Sequence, residues 1–216
     1  MKKSVSDCPL CLDHNAQEYY RDKLRSYLIC PQCQLVFVPR SQLISIENER
    51  SRYKHHQNEA DDSNYLEYLS KIEQACEPYL LKGDEGLDFG CGPSPLLGEI
   101  FSQKGFPTSS YDLFFHPNVP YKNKSYDFII LCEVIEHLRN PLEVLRELRG
   151  LSKPNGSILV KTKFYPEVSA FKDWFYKRDM THIQFFSQTT LQHLAKSFQM
   201  EFQGEISTDL YLMKRI

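Results

Sequence analysis

A chain of 216 residues is long enough for one domain with a small additional unit and a proper hydrophobic core. Its formal net charge of -2 provides no bulk attraction to nucleic acid, so the composition does not favour a nucleic-acid-binding protein. The sequence shows no signal peptide and no apolar run of membrane-spanning length, and we therefore expect a soluble, cytoplasmic protein without a membrane partner.

The chain opens with two cysteine pairs of the form C-P-x-C. Cys8 and Cys11 make the first pair, and Cys30 and Cys33 make the second. This spacing is typical of zinc sites with four thiolates, because each pair can occupy two corners of a tetrahedron. Four thiolates leave no coordination position open, so we expect a structural Zn²⁺ in a zinc ribbon, with reduced, unligated cysteines as the alternative. Such a ribbon can bind nucleic acid, bind protein or brace a neighbouring domain, and the sequence does not choose among these roles.

Residues 41–82 are polar, and one stretch within them has helical periodicity. Its apolar residues share one helix face, which predicts a helix that packs on a sheet or covers a cofactor. These residues are Tyr65, Leu66, Leu69, Ile72 and Cys76. Tyr53 and His55 precede this helix. We interpret their segment as a solvated linker, and the alternative is a lid that brings one of these side chains over the substrate.

A glycine-rich turn follows. Leu87 and Phe89 predict a buried strand, Gly90 and Gly92 predict a tight turn, and the prolines after the turn can begin a helix. In an open α/β sheet, such a turn brings bare backbone close to a nucleotide-like ligand at the carboxyl end of the first strand.

Two carboxylates near this turn help to identify the ligand. Asp88 would repel the pyrophosphate of a dinucleotide but suits the ammonium and sulfonium groups of S-adenosylmethionine, and Pro95 replaces the third glycine of the dinucleotide fingerprint. Asp112 lies about twenty residues beyond the turn, where either class of cofactor needs an acid to accept its ribose hydroxyls. The residues expected to contact S-adenosylmethionine are Asp88, Gly90, Cys91, Gly92, Asp112, Cys132 and Glu133.

The next apolar run, Phe128–Leu131, predicts a second buried strand. Its carboxyl end brings Cys132 and Glu133 to the same rim as the glycine turn, where the reactive methyl group should lie. We interpret Cys91 and Cys132 as small apolar residues rather than nucleophiles.

Ionisable side chains follow this strand in the pattern E-x-x-E-H. A helical continuation would put Glu133, Glu136 and His137 on one face, and a later loop with His182 should return to the same rim. Two carboxylates and two imidazoles suit a divalent ion such as Mg²⁺ or Mn²⁺. The alternative is a set of hydrogen bonds that only orders the loop.

The remaining segments predict the rest of an α/β fold. A helix should begin at Asn140, and the aromatic and basic stretch Phe171–Arg178 should either hold the substrate or pack on the sheet. These elements would complete a seven-stranded, mostly parallel sheet with an antiparallel edge strand. The expected later elements are the strand Ser157–Val160, the helix Thr189–Phe198 and the strands Met200–Ile206 and Asp209–Lys214.

Four segments of the chain and their order along it resemble the class I S-adenosylmethionine-dependent methyltransferases. These segments are Leu87–Gly92, Tyr111–Asp112, Tyr126–Leu138 and Leu151–Val160. The resemblance covers about residues 83–216 and implies a Rossmann-like sheet. It departs from the family between Phe114 and Lys124, where the third strand and the acidic turn that contacts adenine have no clear counterpart.

The E-x-x-E-H pattern with a later histidine is similar to that of the small-RNA 3′-terminal ribose methyltransferases, and ubiquinone-biosynthetic O-methyltransferases also carry E-x-x-E-H. The former resemblance implies a metal held on the vicinal hydroxyls of the acceptor. Its ligands would be Glu133, Glu136, His137 and His182.

We therefore expect a zinc ribbon over residues 1–40, a helical linker or lid over 41–82 and a methyltransferase domain over 83–216. The expected reaction transfers a methyl group to an O, N or C atom of a small-molecule acceptor, either sugar-like or quinol-like. His137 or His182 would act as base, and Glu133 would orient the substrate. The alternatives are an RNA-modifying ribose 2′-O-methyltransferase that grips its substrate with the ribbon, and a binding protein that has lost turnover. The oligomeric state is not predicted.

Overall fold

The computed structural model describes residues 7–53 and 62–216. Two β-sheets and six α-helices organise these residues. In chain order the elements are β1 (Gln17–Arg21), β2 (Ser26–Ile29), β3 (Val36–Phe37), α1 (Ile46–Tyr53), α2 (Ser63–Cys76), β4 (Gly86–Phe89), α3 (Leu96–Gln103), β5 (Thr108–Tyr111), β6 (Tyr126–Cys132), α4 (Pro141–Leu151), β7 (Ser152–Lys161), α5 (Val168–Phe171), β8 (Gln184–Phe185), α6 (Gln188–Ser197), β9 (Met200–Ser207) and β10 (Leu210–Arg215).

The larger sheet has the strand order β5-β4-β6-β7-β10-β9. Strands β5, β4, β6 and β7 are parallel, whereas β10 is antiparallel to both of its neighbours. The predicted α/β fold with a mostly parallel sheet is confirmed. The carboxyl ends of β4, β5 and β6 therefore meet at one rim, where the glycine turn, Asp112 and Glu133 lie.

Two details of this sheet differ from the prediction. The described residues contain six strands in this sheet instead of seven, because the segment between β5 and β6 contains Pro117 and Pro120, which have no N–H to donate to a ladder. The antiparallel strand is not at the edge either. A short turn through Asp209, at φ 57°, folds β10 back between β7 and β9, so β9 is the edge strand.

Helix α2 packs its predicted apolar face on the sheet. Leu69, Ile72 and Cys76 are buried in one core cluster with Phe101 of α3 and Phe128 of β6. The spacing of three and four residues places them on one side of the helix, as the sequence predicts. None of the helices in the described residues is long and apolar enough to cross a membrane.

The smaller sheet joins the N-terminal segment to the C-terminal half of the chain. Its order is β1-β2-β3-β8, and β8 lies directly after the loop that carries His182. Phe171 and Phe185 are fully buried in a core cluster that also contains Tyr27 and Val36. The aromatic and basic stretch therefore packs mainly against the ribbon, and Phe175 within it is exposed. The boundaries of the three predicted units stay a prediction.

Candidate active site

Two glycines shape the turn between β4 and α3. Gly90 has φ 85° and Gly92 has φ 69°. Residues with a side chain are strained in this left-handed region of backbone conformation. The N–H groups of Gly90 and Cys91 donate to the Tyr111 carbonyl at 2.7 and 3.1 Å. A Cβ atom at Gly90 would lie 2.5 Å from Val134 Cγ2. The turn is thus held against the end of β5 on one side and the segment after β6 on the other.

Asp88 fits the positive end of the expected cofactor. Its side chain is 2% exposed, and Oδ2 has no hydrogen-bond partner among the described residues. Burial raises the pKa of Asp88 to about 7, a backbone hydrogen bond from Gly98 opposes this shift, and the Asp112 carboxylate adds to it. A buried carboxylate oxygen without a donor is stabilised by a bound ammonium group, directly or through water.

Asp112 joins the turn to the loop after β5. Its Oδ2 accepts from the Gly92 N–H at 3.1 Å, and its Oδ1 accepts from the N–H groups of Phe114 and Phe115 at 2.8 and 3.0 Å. Asp112 therefore orders the backbone around the turn, and its contact with ribose hydroxyls stays a prediction. Cys91 and Cys132 are both partly buried, and the roles proposed for them are likewise untested.

Glu133 follows β6 in a left-handed backbone conformation, at φ 54°. Its N–H donates to the Lys161 carbonyl at 2.9 Å, and its Oε1 lies 3.8 Å from Lys161 Nζ. Lys161 is buried at the end of β7, where its Nζ is also 3.7 Å from Asp209 Oδ2. This residue holds the Glu133 carboxylate at the rim.

The Tyr176 hydroxyl lies between two carboxylates. It is 2.8 Å from Glu133 Oε2 and is also hydrogen-bonded to Glu136 Oε1, while Thr162 Oγ1 donates to Glu136 Oε2 at 3.2 Å. A phenol has one proton and cannot donate to both carboxylates at once. Burial and the Glu133 carboxylate raise the pKa of Glu136 to about 8, so a protonated Glu136 donates to Tyr176, which donates to Glu133.

The two histidines lie together with fixed tautomers. His137 Nδ1 is 3.0 Å from the Thr181 carbonyl, and His182 Nδ1 is 2.7 Å from the Tyr176 carbonyl. Because a carbonyl can only accept, each Nδ1 carries a proton, and in a neutral ring Nε2 then carries the lone pair. The ring centroids are 4.6 Å apart. Burial lowers the pKa of His182, with Asp179 opposing the shift, so the ring is neutral at physiological pH.

Three of the four predicted metal ligands converge. One ligand atom each from Glu136, His137 and His182 lies within 4.8 Å of the other two, and Glu133 is outside this group. The left-handed backbone of Glu133 and its contacts with Lys161 and Tyr176 direct its carboxylate elsewhere. The E-x-x-E-H segment also forms only one turn of 3-10 helix, at Ile135–His137, instead of the expected helical face.

Tyr53 lies at this site. Its ring makes an edge contact with the His137 ring at 5.5 Å and lies 5.8 Å from the Phe114 ring. Its hydroxyl donates to Glu49 Oε1, and Glu49 Oε2 forms an ion pair with Arg139. The C-terminal end of α1 therefore packs against His137. His55 lies outside the described residues.

Sequence reasoning missed three side chains of the site. Lys161 and Thr162 directly follow the predicted strand Ser157–Val160, so the rule that ligands bind at the carboxyl ends of parallel strands could have found them. Tyr176 had no such signal, because nothing in its stretch distinguishes it from Trp174 or Phe175.

The four cysteines of the ribbon converge as predicted. Cys8 Sγ is 3.5 Å from Cys33 Sγ, and Cys11 Sγ is 3.4 Å from Cys30 Sγ. All four sulfurs lie within 4.8 Å of one another. Tetrahedral zinc with Zn–S bonds of about 2.3 Å requires sulfurs about 3.8 Å apart, so this cluster fits a structural zinc.

Comparisons with known proteins agree with this geometry. A family model described as a methyltransferase domain matches residues 53–202, and no curated protein matches the sequence. A methyltransferase of calicheamicin biosynthesis, solved with SAH, is 13% identical with a TM-score of 0.52, and the match covers 69% of this chain and 53% of that one.

Two further solved structures match a large part of this chain. The plantazolicin methyltransferase, in complex with a pentazolic analogue and SAH, is 14% identical with a TM-score of 0.50, covering 79% of this chain and 91% of that one. A methyltransferase from Archaeoglobus fulgidus is 20% identical with a TM-score of 0.49, covering 63% and 69%. With the family match over most of the chain, the glycine turn and the buried Asp88 lead to one conclusion: the chain belongs to the methyltransferase-domain family and is a class I S-adenosylmethionine-dependent methyltransferase.

Proposed function

We propose that this enzyme methylates a hydroxyl or amine of a small-molecule acceptor, sugar-like or quinol-like, between the glycine turn and the two histidines. One observation carries the proposal. Val134, which contacts Gly90, lies between Glu133 and the histidine cluster in the chain, so acid, base and cofactor turn share one rim. A neutral imidazole beside an ordered carboxylate suits removal of a proton from oxygen or nitrogen.

S-adenosylmethionine supplies a methyl group that is already activated by its sulfonium charge. The residues of the chain then have to place the acceptor and remove its proton. We assign the base to His182, whose Nε2 takes the acceptor proton while Nδ1–H stays bonded to the Tyr176 carbonyl. Glu133, held by Lys161 and Tyr176, orients the acceptor hydroxyl. His137 packs against His182 and limits the movement of its ring.

A second candidate mechanism uses a divalent ion, such as Mg²⁺ or Mn²⁺, held by Glu136, His137 and His182. The convergence of one ligand atom from each favours it. Glu136 must first lose its proton, so ion binding competes with the hydrogen bond to Tyr176. Methyl transfer that is abolished by a chelator and restored by Mn²⁺ at unchanged zinc content would establish this mechanism over the metal-free one.

The ribbon gives little support to an RNA substrate. The rings of Tyr19 and Tyr27, which could stack on bases, instead pack 5.2 and 5.0 Å from the Phe171 ring, with Tyr27 buried and Tyr19 partly buried. We therefore place RNA second to a small molecule.

Incubation with methyl-labelled S-adenosylmethionine and fractionated cell extract tests the proposal. We expect label in the small-molecule fraction, and we expect His182→Ala to lower the rate by about two orders of magnitude or more, as for loss of a general base. His193→Ala, on helix α6 away from the site, is the matched control and should keep the full rate. Label in RNA, or full turnover by His182→Ala, would overturn the assignment.

A further inference from the structure

The N-terminal ribbon is built into the wall of the active site. Strand β8 begins two residues after His182 and pairs with β3, with Val36 opposite Phe185 and Phe37 opposite Gln184. The Val38 N–H continues this pairing by donating to the Ile183 carbonyl at 2.9 Å. The loop that ends at His182 is thus anchored to the ribbon at its C-terminal end.

Arg25 anchors the same loop along its length. This residue of the ribbon is 3% exposed. Its guanidinium donates to the carbonyls of Lys177 at 2.7 Å, Asp179 at 3.0 Å and Met180 at 3.2 Å. Its Nε–H donates to the Tyr27 hydroxyl at 2.9 Å. A planar fork of five N–H donors can bind several carbonyls at once, which the ammonium group of a lysine cannot do in the same geometry.

These carbonyls lie in the short segment between Tyr176 and His182. The ends of that segment are joined by the hydrogen bond from His182 Nδ1 to the Tyr176 carbonyl. Movement of the segment would break this bond, and the proton could then occupy either nitrogen of His182. Asp22 balances part of the buried charge, because its carboxylate accepts from Lys177 Nζ at 3.1 Å beside the guanidinium.

We propose that Arg25 is a positioning residue of the active site, which holds residues 177–180 so that His182 presents Nε2 to the acceptor. This role rests on the proposed function of His182. Through Arg25 the ribbon supports the methyl-transfer site, although no ribbon residue has to contact the cofactor or the acceptor.

The test compares Arg25→Met with Arg21→Met in the full-length, zinc-loaded protein. Arg21 is also a ribbon arginine, but its side chain is 58% exposed and pairs with Glu18 on its own strand. We expect Arg25→Met to raise amide exchange in residues 177–183 by about tenfold or more and to mix the two His182 tautomers in ¹⁵N NMR spectra. Affinity for S-adenosylhomocysteine should stay within about twofold, because the glycine turn is not contacted. Arg21→Met should match the wild type in all three.

A second substitution covers the case in which Arg25→Met does not fold. Arg25→Lys keeps the charge but loses the fork, and we expect exchange in residues 177–183 to rise by about threefold or more. Wild-type exchange and a single Nδ1–H tautomer in either variant would overturn the proposal. If His182→Ala kept full turnover, the proposed base would be wrong, whereas the effect of Arg25 on exchange and tautomer would still be measured independently.

Discussion

The Tyr176 hydroxyl has one proton and lies between the carboxyl groups of Glu133 and Glu136. Because it can donate to only one of them, the other carboxyl group has to supply its own proton to make a hydrogen bond. Glu136 is fully buried and has a pKa raised to about 8 by burial and by Glu133, so it is the carboxylate that keeps its proton. Glu133 accepts the hydrogen bond of the Tyr176 hydroxyl and faces Lys161. The neutral His182 lies at the same rim of the sheet, an arrangement that suits the removal of a proton from a hydroxyl.

We expect kcat for methyl transfer to follow a bell-shaped pH profile. Burial lowers the pKa of His182, so activity is lost on the acid side only as pH falls below the ordinary value of about 6.5. On the alkaline side, Glu136 loses its proton above pH about 8, and two charged carboxylates then compete for one phenol. Steady-state rates from about pH 5 to about pH 10 measure both limbs. An unchanged rate through the pKa of Glu136 would contradict this protonation scheme.

At the level of elements, the site depends on how closely the turn after β4 and the segment after β6 approach each other. The turn after β4 has no room for a side chain at Gly90, because Val134 from the neighbouring segment fills the space. The same contact brings the E-x-x-E-H segment next to the cofactor turn. Close packing of two backbones at one glycine therefore links the cofactor site to the acid and base residues.

Gly90→Ala tests this contact. The new methyl group would clash with Val134 and force a side chain into φ 85°, so we expect about 1–3 kcal/mol lower stability and about tenfold weaker binding of S-adenosylhomocysteine. Thermal unfolding and calorimetry measure the two effects. Gly150→Ala is the matched control, because α4 leaves open space there and stability should be unchanged or raised by up to about 1 kcal/mol. Equal results for the two variants would contradict the close-approach argument.

At the level of the whole molecule, the smaller sheet joins the ribbon to the methyltransferase part of the chain, because it combines the three N-terminal strands β1, β2 and β3 with the later strand β8. Residues of β2 and β3 share a core cluster with Phe171, Tyr176 and Phe185. The ribbon alone is too small to bury a core without metal, so we expect the folding of this wall to depend on zinc bound by the four cysteines.

We expect elemental analysis to find one Zn²⁺ per chain, held by the four-cysteine cluster. Its removal by a chelator should unfold the ribbon, lower Tm and abolish methyl transfer, while affinity for S-adenosylhomocysteine falls by no more than about threefold. Differential scanning calorimetry and the extract assay measure these effects. Cys33→Ser should cause the same losses of stability and activity. Added zinc should restore the chelator-treated protein but not the Cys33→Ser variant. A chelated protein with full activity would show that the ribbon is not needed.

Short-range spacing predicted the four-cysteine cluster, because each C-P-x-C pair is read within a few residues. The same kind of spacing singled out Asp88 before the two glycines and the E-x-x-E-H segment, which forms one turn of 3-10 helix instead of the expected helical face. The functional roles of these residues stay predictions. The sequence did not predict that Glu133 turns away from the other three ligands, because a left-handed backbone at a non-glycine residue has no local signal. The seventh strand was predicted from the usual form of the fold, and Pro117 and Pro120 could have argued against it.

The sequence by itself determined the cofactor class, the four-cysteine cluster and the α/β class of the fold, because these depend on residue type and on periodicity along the chain. Only the tertiary structure decided that Tyr176 joins Glu133 to Glu136 and that Arg25 holds the loop before His182. Arg25 and its carbonyl partners are 152 to 155 residues apart in the chain. Contacts between such distant segments form only when the core brings them together, so no local pattern records them.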